Sequence, residues 1–392
     1  MNIKKLVKEY KEVFNAHSEI KGYFAPGRVN LIGGHVDYHG GFVLPCAINY
    51  GTYMIISKRN DQLMNGYSMN FTEQGVIKGN IDHLERNLSD DWFSYVKGIV
   101  KMLVDKGYSI DKGFDLLLNG NIPNGAGLSS SASLEIVLLE GLNDLFNLNL
   151  STKEMVLIAQ SVENDYIGVN CGIMDQYAVA FGKDNNAILL DCEKIEHEYV
   201  PLDLKDNKIL IINSNKQRKL SESKYNERRT ESTSALDTIL EKSDKTFVNQ
   251  LTEKDYLSFG NLIKNETNRK RAKHVITENL RTKKAHDALI NDNLIEFGQC
   301  INESHISLKE DYEVSSKELD FIVEFVREFK GSLGARMTGA GFGGCVVSIV
   351  NDAVIEDFTN ELTIIYTKKF GYKPSIYIAD VGNGSNKIDL EK

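Results

Sequence analysis

A loop rich in glycine and serine, set between a strand and a helix, is the most constraining feature of this sequence. KGFDLLLNGNI at 112–122 is a strand pattern, PNGAGLSSSAS follows it, and leucines at helical spacing come next. Gly125 and Gly127 permit close backbone approach, and the first turn of the following helix leaves N–H groups free for an anion. The loop can therefore hold a polyphosphate without the lysine of a Walker loop, although an ordinary capped helix start explains the same letters equally well.

The length and net charge of the chain limit the classes of protein to which it can belong. A chain of 392 residues exceeds the usual size of one hydrophobic core, so two domains are expected. With 46 basic and 55 acidic residues the net charge is -9, which excludes nucleic acid and an anionic membrane as expected partners. The five scattered cysteines and an N-terminus without a continuous apolar segment predict a cytoplasmic protein.

Strand and helix patterns alternate along the whole chain. A helix with an apolar face at Leu134, Leu138, Leu142 and Leu145 follows the serines, and Ser151 with Glu154 forms a capping box for the next helix. The pattern restarts near residue 200 with the strand NKILIINSN, followed by charged helices and further strands. We predict an α+β fold with domains at 1–200 and 201–392.

Two further stretches concentrate polar residues. RVNLIGGHVDYHGG at 28–41 places arginine, histidines, aspartate and tyrosine around four glycines, which favours a pocket for a small polyol over a plain turn. In VENDYIGVNCGIMDQ, Glu163 lies at the edge of an apolar helix face, where it needs a counter-charge. Asp175 lies twelve residues later and suits either a carboxylate base or a helix N-cap.

Together these stretches resemble the galactokinases of the GHMP small-molecule kinase superfamily. APGRVNLIGGHVDYHGG resembles the galactokinase signature, GNIPNGAGLSSSAS the nucleotide loop, CGIMDQ the catalytic aspartate motif, and GARMTGAGFGGC at 334–345 the C-terminal glycine motif. The resemblance covers essentially the whole chain. It implies a two-domain GHMP kinase fold with the active site in the interdomain cleft, and transfer of the ATP γ-phosphate to the anomeric hydroxyl of galactose.

The resemblance also implies roles for individual residues. Asp175 matches the general base, Arg28 the cation that keeps this aspartate ionised, and Ser131 with Glu163 the Mg²⁺ ligands. The matched sugar-binding positions are Gly34, His35, Val36, Asp37, Gly172, Asp175 and Tyr225. The matched nucleotide-binding positions are Ser68, Trp92, Gly125, Ala126, Gly127, Leu128, Ser129, Ser130 and Ser131. A monomer is compatible with these features.

One position departs from the family pattern. Gly34 stands where the family usually has a glutamate that accepts a hydrogen bond from the sugar's 6-hydroxyl. Loss of a charged hydrogen-bond partner costs roughly 1.5 to 3 kcal/mol, so galactose binding could weaken. The alternatives are a kinase for a galactose derivative altered at carbon 6 or carbon 2, such as galacturonate or N-acetylgalactosamine, and a non-catalytic sensor of sugar and ATP. The intact serine loop and Asp175 favour turnover.

Overall fold

The computed structural model describes residues 2–15, 19–123, 127–216 and 221–391. The strands are β1 Lys21–Asn30, β2 Phe42–Val43, β3 Pro45–Lys58, β4 Leu63–Ser68, β5 Ile77–Asn80, β6 Phe114–Gly120, β7 Asn186–Asp191, β8 Glu196–Pro201, β9 Asn207–Asn213, β10 Ser332–Thr338, β11 Cys345–Asn351, β12 Ser375–Ala379 and β13 Asn386–Ile388. The helices are α1 Ile3–Phe14, α2 Phe93–Asp105, α3 Ser130–Phe146, α4 Thr152–Ser161, α5 Met174–Phe181, α6 Ser221–Leu240, α7 Glu253–Phe259, α8 Glu266–Ile290, α9 Leu294–Glu310, α10 Lys317–Glu328 and α11 Ile355–Phe370. Helices and sheets in both halves confirm the predicted α+β class.

The first half is built on a mixed sheet of order β13-β1-β3-β6-β4-β5. Its long strands β1 and β3 pair antiparallel, and α3 packs against both. Leu138 and Leu142 of the predicted apolar face are buried, but Ile136, Val137 and Leu139 are buried too. Because α3 lies between the sheet and the helices α2, α4 and α5, it is covered on nearly every side.

The second half contains an antiparallel sheet of order β10-β11-β9-β12, packed against α9 and α10. A small third sheet of order β2-β7-β8 joins the short strand β2 to two strands near the end of the first half. The last described strand, β13, returns to the first sheet and pairs with β1, with Gly22 opposite Ile388. The division at residue 200 therefore remains a proposal. In this division, the C-terminal strand β13 belongs to the second part in sequence but completes the sheet of the first part.

None of the helices in the described ranges has the length and apolar character needed to cross a bilayer.

The capping box predicted for α4 is confirmed, since the Ser151 side chain accepts from the Glu154 N–H and the Glu154 carboxylate accepts from the Ser151 N–H.

A buried carboxylate joins the second half to the turn that follows β1. Glu278 on α8 accepts hydrogen bonds from the backbone N–H of Gly33 at 3.1 Å and of Gly34 at 3.0 Å. The same oxygen accepts from the Ser304 hydroxyl at 2.6 Å, while the other pairs with Arg281 Nε at 3.0 Å. The long helix α8 thus holds the polar turn in position.

Removal of this carboxylate should destabilise the protein. In Glu278→Ala the two buried N–H groups lose their acceptor, at about 1–3 kcal/mol each, so the free energy of unfolding should fall by about 2–6 kcal/mol. Urea denaturation followed by circular dichroism measures this. Glu303→Ala, at an exposed position on α9, is the matched control. An equal stability for both variants would contradict the anchoring role of Glu278.

Candidate active site

A cavity of about 430 Å³ lies where the polar turn, the serine loop and the second half meet. It is lined by most of the residues that the sequence analysis selected. These are Arg28, Gly34, His35, Asp37, Gly127, Leu128, Ser129, Ser130, Ser131, Glu163, Gly172, Asp175 and Tyr225. Residues far apart in the chain thus converge on one site.

Three selected residues do not line this cavity. Val36 is fully buried and packs against Gly41. The Trp92 indole N–H donates to Gln74 Oε1 at 3.0 Å, and Ser68 is buried near the end of β4. Gly125 and Ala126 lie outside the described residues.

The centre of the site is a bidentate ion pair between Arg28 and Asp175. Arg28 Nε donates to Asp175 Oδ1 at 2.8 Å and Nη2 donates to Oδ2 at 2.9 Å. Arg28 is buried in β1, and its Nη1 donates to the Gly127 carbonyl at 2.9 Å. The N-cap of α5 is Ile173, without a side-chain capping bond, so Asp175 is not a helix cap. Its side chain instead remains one-third exposed to the cavity, at 33%.

Ser129 adds a contact that sequence reasoning missed. Its hydroxyl donates to Asp175 Oδ2 at 2.6 Å, although the sequence analysis assigned it to the nucleotide. The residue holds φ at +61°, in the left-handed region that is uncommon for a side chain with a Cβ. The backbone therefore turns sharply immediately before α3, while Ser131 in the first turn is half-buried.

A second carboxylate, that of Glu135, lies near Glu163. Glu135 on α3 is fully buried, and burial together with the charge of Glu163 raises its pKa well above the usual value. Gln176 Nε2 donates to Glu135 Oε2 at 3.3 Å, and Oε1 has no hydrogen-bond partner within the described ranges. The raised pKa favours the neutral form of Glu135, and Glu163 is the member of the pair that lines the cavity.

The oxygens of Ser131 and Glu163 fit a magnesium ion. Both residues line the cavity, and both offer the oxygen ligands that Mg²⁺ prefers. The described residues contain no cluster of three or more His, Cys, Asp or Glu side chains suited to a metal. A Mg²⁺ ion that takes most of its ligands from substrate phosphates and water needs only one or two protein oxygens.

A second aspartate, Asp37, lines the same cavity near Asp175. Burial, followed by the charge of Asp175, raises the pKa of Asp37 to about 6. A side chain at position 172 would collide with the Asp37 carboxylate, so Gly172 is required at this close approach. Asp37 is therefore ionised at neutral pH and can accept hydrogen bonds from hydroxyl groups.

Aromatic side chains form the wall beside these carboxylates. His35 Nδ1 and the Tyr38 hydroxyl are 2.9 Å apart, and the Tyr38 and Tyr312 hydroxyls are 2.8 Å apart. The Tyr225 ring, from α6, lies 5.6 Å from the His35 ring and 5.5 Å from that of Tyr38. Burial lowers the pKa of His35 to about 3, so its ring is neutral. The wall offers apolar ring surface with polar tips.

Arg336 is a second residue of the cavity that sequence reasoning missed. It projects from β10, is 1% exposed and lines the cavity next to Gly34. The sequence analysis quoted its motif, GARMTGAGFGGC, only for the glycines. The available signal was a charged residue in an otherwise apolar strand pattern, which indicates a buried or functional charge.

The comparisons with known proteins agree with this geometry. Family models match at residues 8–58 (galactokinase galactose-binding signature), 94–183 (GHMP kinases N terminal domain) and 285–367 (GHMP kinases C terminal). A galactokinase of Clostridium perfringens strain 13 is 49% identical over 366 residues, which is 93% of this chain and 95% of that protein. One from Fusobacterium nucleatum is 48% identical over 388 residues, 98% and 100% of the two chains.

Solved structures give the same result. The crystal structure of Lactococcus lactis galactokinase complexed with galactose has a TM-score of 0.96 and 45% identity, covering 98% of this chain and 100% of that one. The mevalonate kinase of Methanococcus jannaschii, with a TM-score of 0.64 and 21% identity, shares the fold alone. Both the resemblance and the GHMP kinase fold expected from the sequence are confirmed, and this chain belongs to the galactokinase family.

Proposed function

We propose that this protein transfers the γ-phosphate of ATP to the anomeric hydroxyl of galactose, giving galactose 1-phosphate and ADP. The observation that carries the proposal is the Arg28–Asp175 pair, which lies between the serine loop and the polar turn. The similarity to a galactokinase solved with galactose supports the choice of sugar. Because ATP is the donor, the cytoplasm is the compartment that we propose for the reaction.

Asp175 is proposed as the general base. Its carboxylate takes the proton of the 1-hydroxyl while that oxygen forms a bond to the γ-phosphorus and the bond to the β-phosphate oxygen breaks. Two N–H groups of Arg28 and the Ser129 hydroxyl bind the carboxylate. These three hydrogen bonds fix the position of the carboxylate at the cavity wall, where it can take the proton of a bound hydroxyl.

The residues from Gly127 to Ser131 are proposed to hold the phosphates. The N-terminus of α3 presents unpaired N–H groups, which suit an anion. Ser131 and Glu163 are the proposed Mg²⁺ ligands, and a bound Mg²⁺ would neutralise charge on the phosphates. The predicted nucleotide contacts of Ser68 and Trp92, which lie outside the cavity, and of Gly125 and Ala126, which lie outside the described residues, remain predictions.

His35, Asp37, Gly172 and Tyr225 are proposed to bind the sugar. Asp37 accepts hydrogen bonds from ring hydroxyls, and the wall that includes Tyr225 covers the apolar face of the ring. Residues 1–200 supply most of these groups and residues 201–392 supply Tyr225 and Arg336, which supports a site in the cleft between two domains.

The first test removes the base. Asp175→Asn should lower kcat by about 10² to 10⁴, since general-base catalysis contributes that much, while galactose binding measured by calorimetry changes only a few-fold. ADP release and ³¹P NMR of the product measure turnover. Asp244→Asn, at a side chain 83% exposed, is the control and should leave kcat unchanged. Normal turnover of Asp175→Asn would remove this residue from the mechanism.

The second test uses the raised pKa of Asp37. A carboxyl with a pKa of about 6 loses its negative charge as the pH falls through 6, and it then accepts fewer hydrogen bonds from the sugar. The kcat/KM for galactose should therefore fall about tenfold per pH unit below 6. Asp37→Asn should be less active at pH 7.5 but should lack this acidic limb. An unchanged limb in the variant would show that another group titrates.

A further inference from the structure

Arg336 faces the cavity with unused hydrogen-bond donors. Its side chain is 1% exposed, and Nε and Nη1 have no hydrogen-bond partner in the described part of the chain. Burial lowers its pKa to about 10, so the guanidinium remains charged at neutral pH. A buried cation with open donors is unfavourable until an acceptor reaches it.

The nearest carboxylate is already committed elsewhere. Glu278 favours the charged form of Arg336, but its oxygens accept from the N–H groups of Gly33 and Gly34, from Ser304 and from Arg281. No ion pair to Arg336 occurs among the described residues. Glu278 therefore balances the charge from a distance and leaves the donors of Arg336 free.

Gly34 lets this guanidinium lie directly against the turn at the cavity wall. A Cβ at position 34 would collide with Arg336 Nη2, so a side chain there would push the end of the guanidinium aside. The backbone of Gly34 is held on both sides, since its N–H donates to Glu278 and its carbonyl is 2.9 Å from His274 Nε2. The turn is thus a fixed part of the cavity wall.

We propose that the part of the cavity lined by Gly34 and Arg336 binds the carboxylate of a hexuronate, so that the protein phosphorylates this acidic class of sugar as well as galactose. The inference rests on the proposed function. A carboxylate matches the planar fork of a guanidinium and accepts two parallel N–H bonds, whereas a neutral hydroxyl satisfies fewer of these donors.

The chemistry at the other end of the sugar is unchanged. A hexuronate carries its carboxylate at carbon 6 and keeps a free anomeric hydroxyl, so the proton still passes to Asp175 and the same oxygen–phosphorus bond forms. Arg28 cannot serve as the carboxylate site, because its three donor groups already bind Asp175 and Gly127. Among the described residues that line the cavity, Arg336 is therefore the cation that can select an anionic sugar.

The experiment compares D-galacturonate with D-galactose under saturating MgATP. The wild-type protein should phosphorylate both, and calorimetry should detect galacturonate binding that acetate at the same concentration does not reproduce. In Gly34→Glu the new carboxylate takes the donors of Arg336 and repels the ligand's carboxylate. The ratio of kcat/KM for galacturonate to that for galactose should then fall by at least a hundredfold.

Two further variants test whether the fall in the ratio comes from the change in charge, from the space that a side chain occupies or from a loss of folding. Gly34→Ala adds a Cβ without charge and should lower the ratio much less than Gly34→Glu does. Arg336→Met removes the charge and should lower the ratio as Gly34→Glu does. Because Arg336 is buried, this variant is compared only if its thermal unfolding temperature stays close to that of the wild type, and Gly34→Glu alone decides the matter otherwise.

The outcomes distinguish this inference from the proposed function. If galactose is phosphorylated but galacturonate neither binds nor reacts, the inference is overturned and the function stands. If the ratio is the same in Gly34→Glu and the wild type, the site is also overturned. If neither sugar is phosphorylated but galacturonate still binds and Gly34→Glu abolishes that binding, the function fails and the anion site is supported.

Discussion

The ion pair between Arg28 and Asp175 is the interaction on which the geometry of the cavity depends. A guanidinium that is 3% exposed needs partners for its donors, and Arg28 finds them on two separate segments. Two N–H groups bind the Asp175 carboxylate at the start of α5, and a third binds the Gly127 carbonyl before α3. One side chain from the central strand β1 therefore sets the distance between the serine loop and the carboxylate that faces it.

The cavity contains two buried arginines that differ in how their hydrogen-bond donors are used. Arg28 has its donors paired within the protein, so it stabilises a fixed arrangement. Arg336 has donors without a partner in the described ranges and a glycine in front of it. Paired charges position catalytic groups, and charges left open select ligands by what they require as a partner. The same residue type thus serves two purposes within one site, and the difference comes from the neighbours that each arginine has.

Much of the fold and of the site could be predicted because it depends on local pattern. The strand β6 and the helix α3 follow from periodicity and from the glycines and serines between them, and the Ser151–Glu154 capping box follows from a spacing of three residues. Contacts between distant segments could not be predicted in this way. Gly34 meets Arg336 only through packing of the two halves, and Ser129 meets Asp175 only because its backbone takes a left-handed turn. The position of Glu135 beside Glu163 could not be predicted from the sequence either. Because α3 is covered on nearly all sides, its sequence lacks the polar stripe that marks the exposed face of a surface helix.

The return of β13 to the first sheet affects how the protein is synthesised. Until residues 386–388 leave the ribosome, the N–H and C=O groups along one edge of β1 have no strand to pair with. At about 5–20 residues per second, the roughly 200 residues made after the first half take about 10–40 s. The nascent chain must therefore keep this open edge from pairing with other chains for that period, which makes delayed closure of the sheet a point at which chaperones could act.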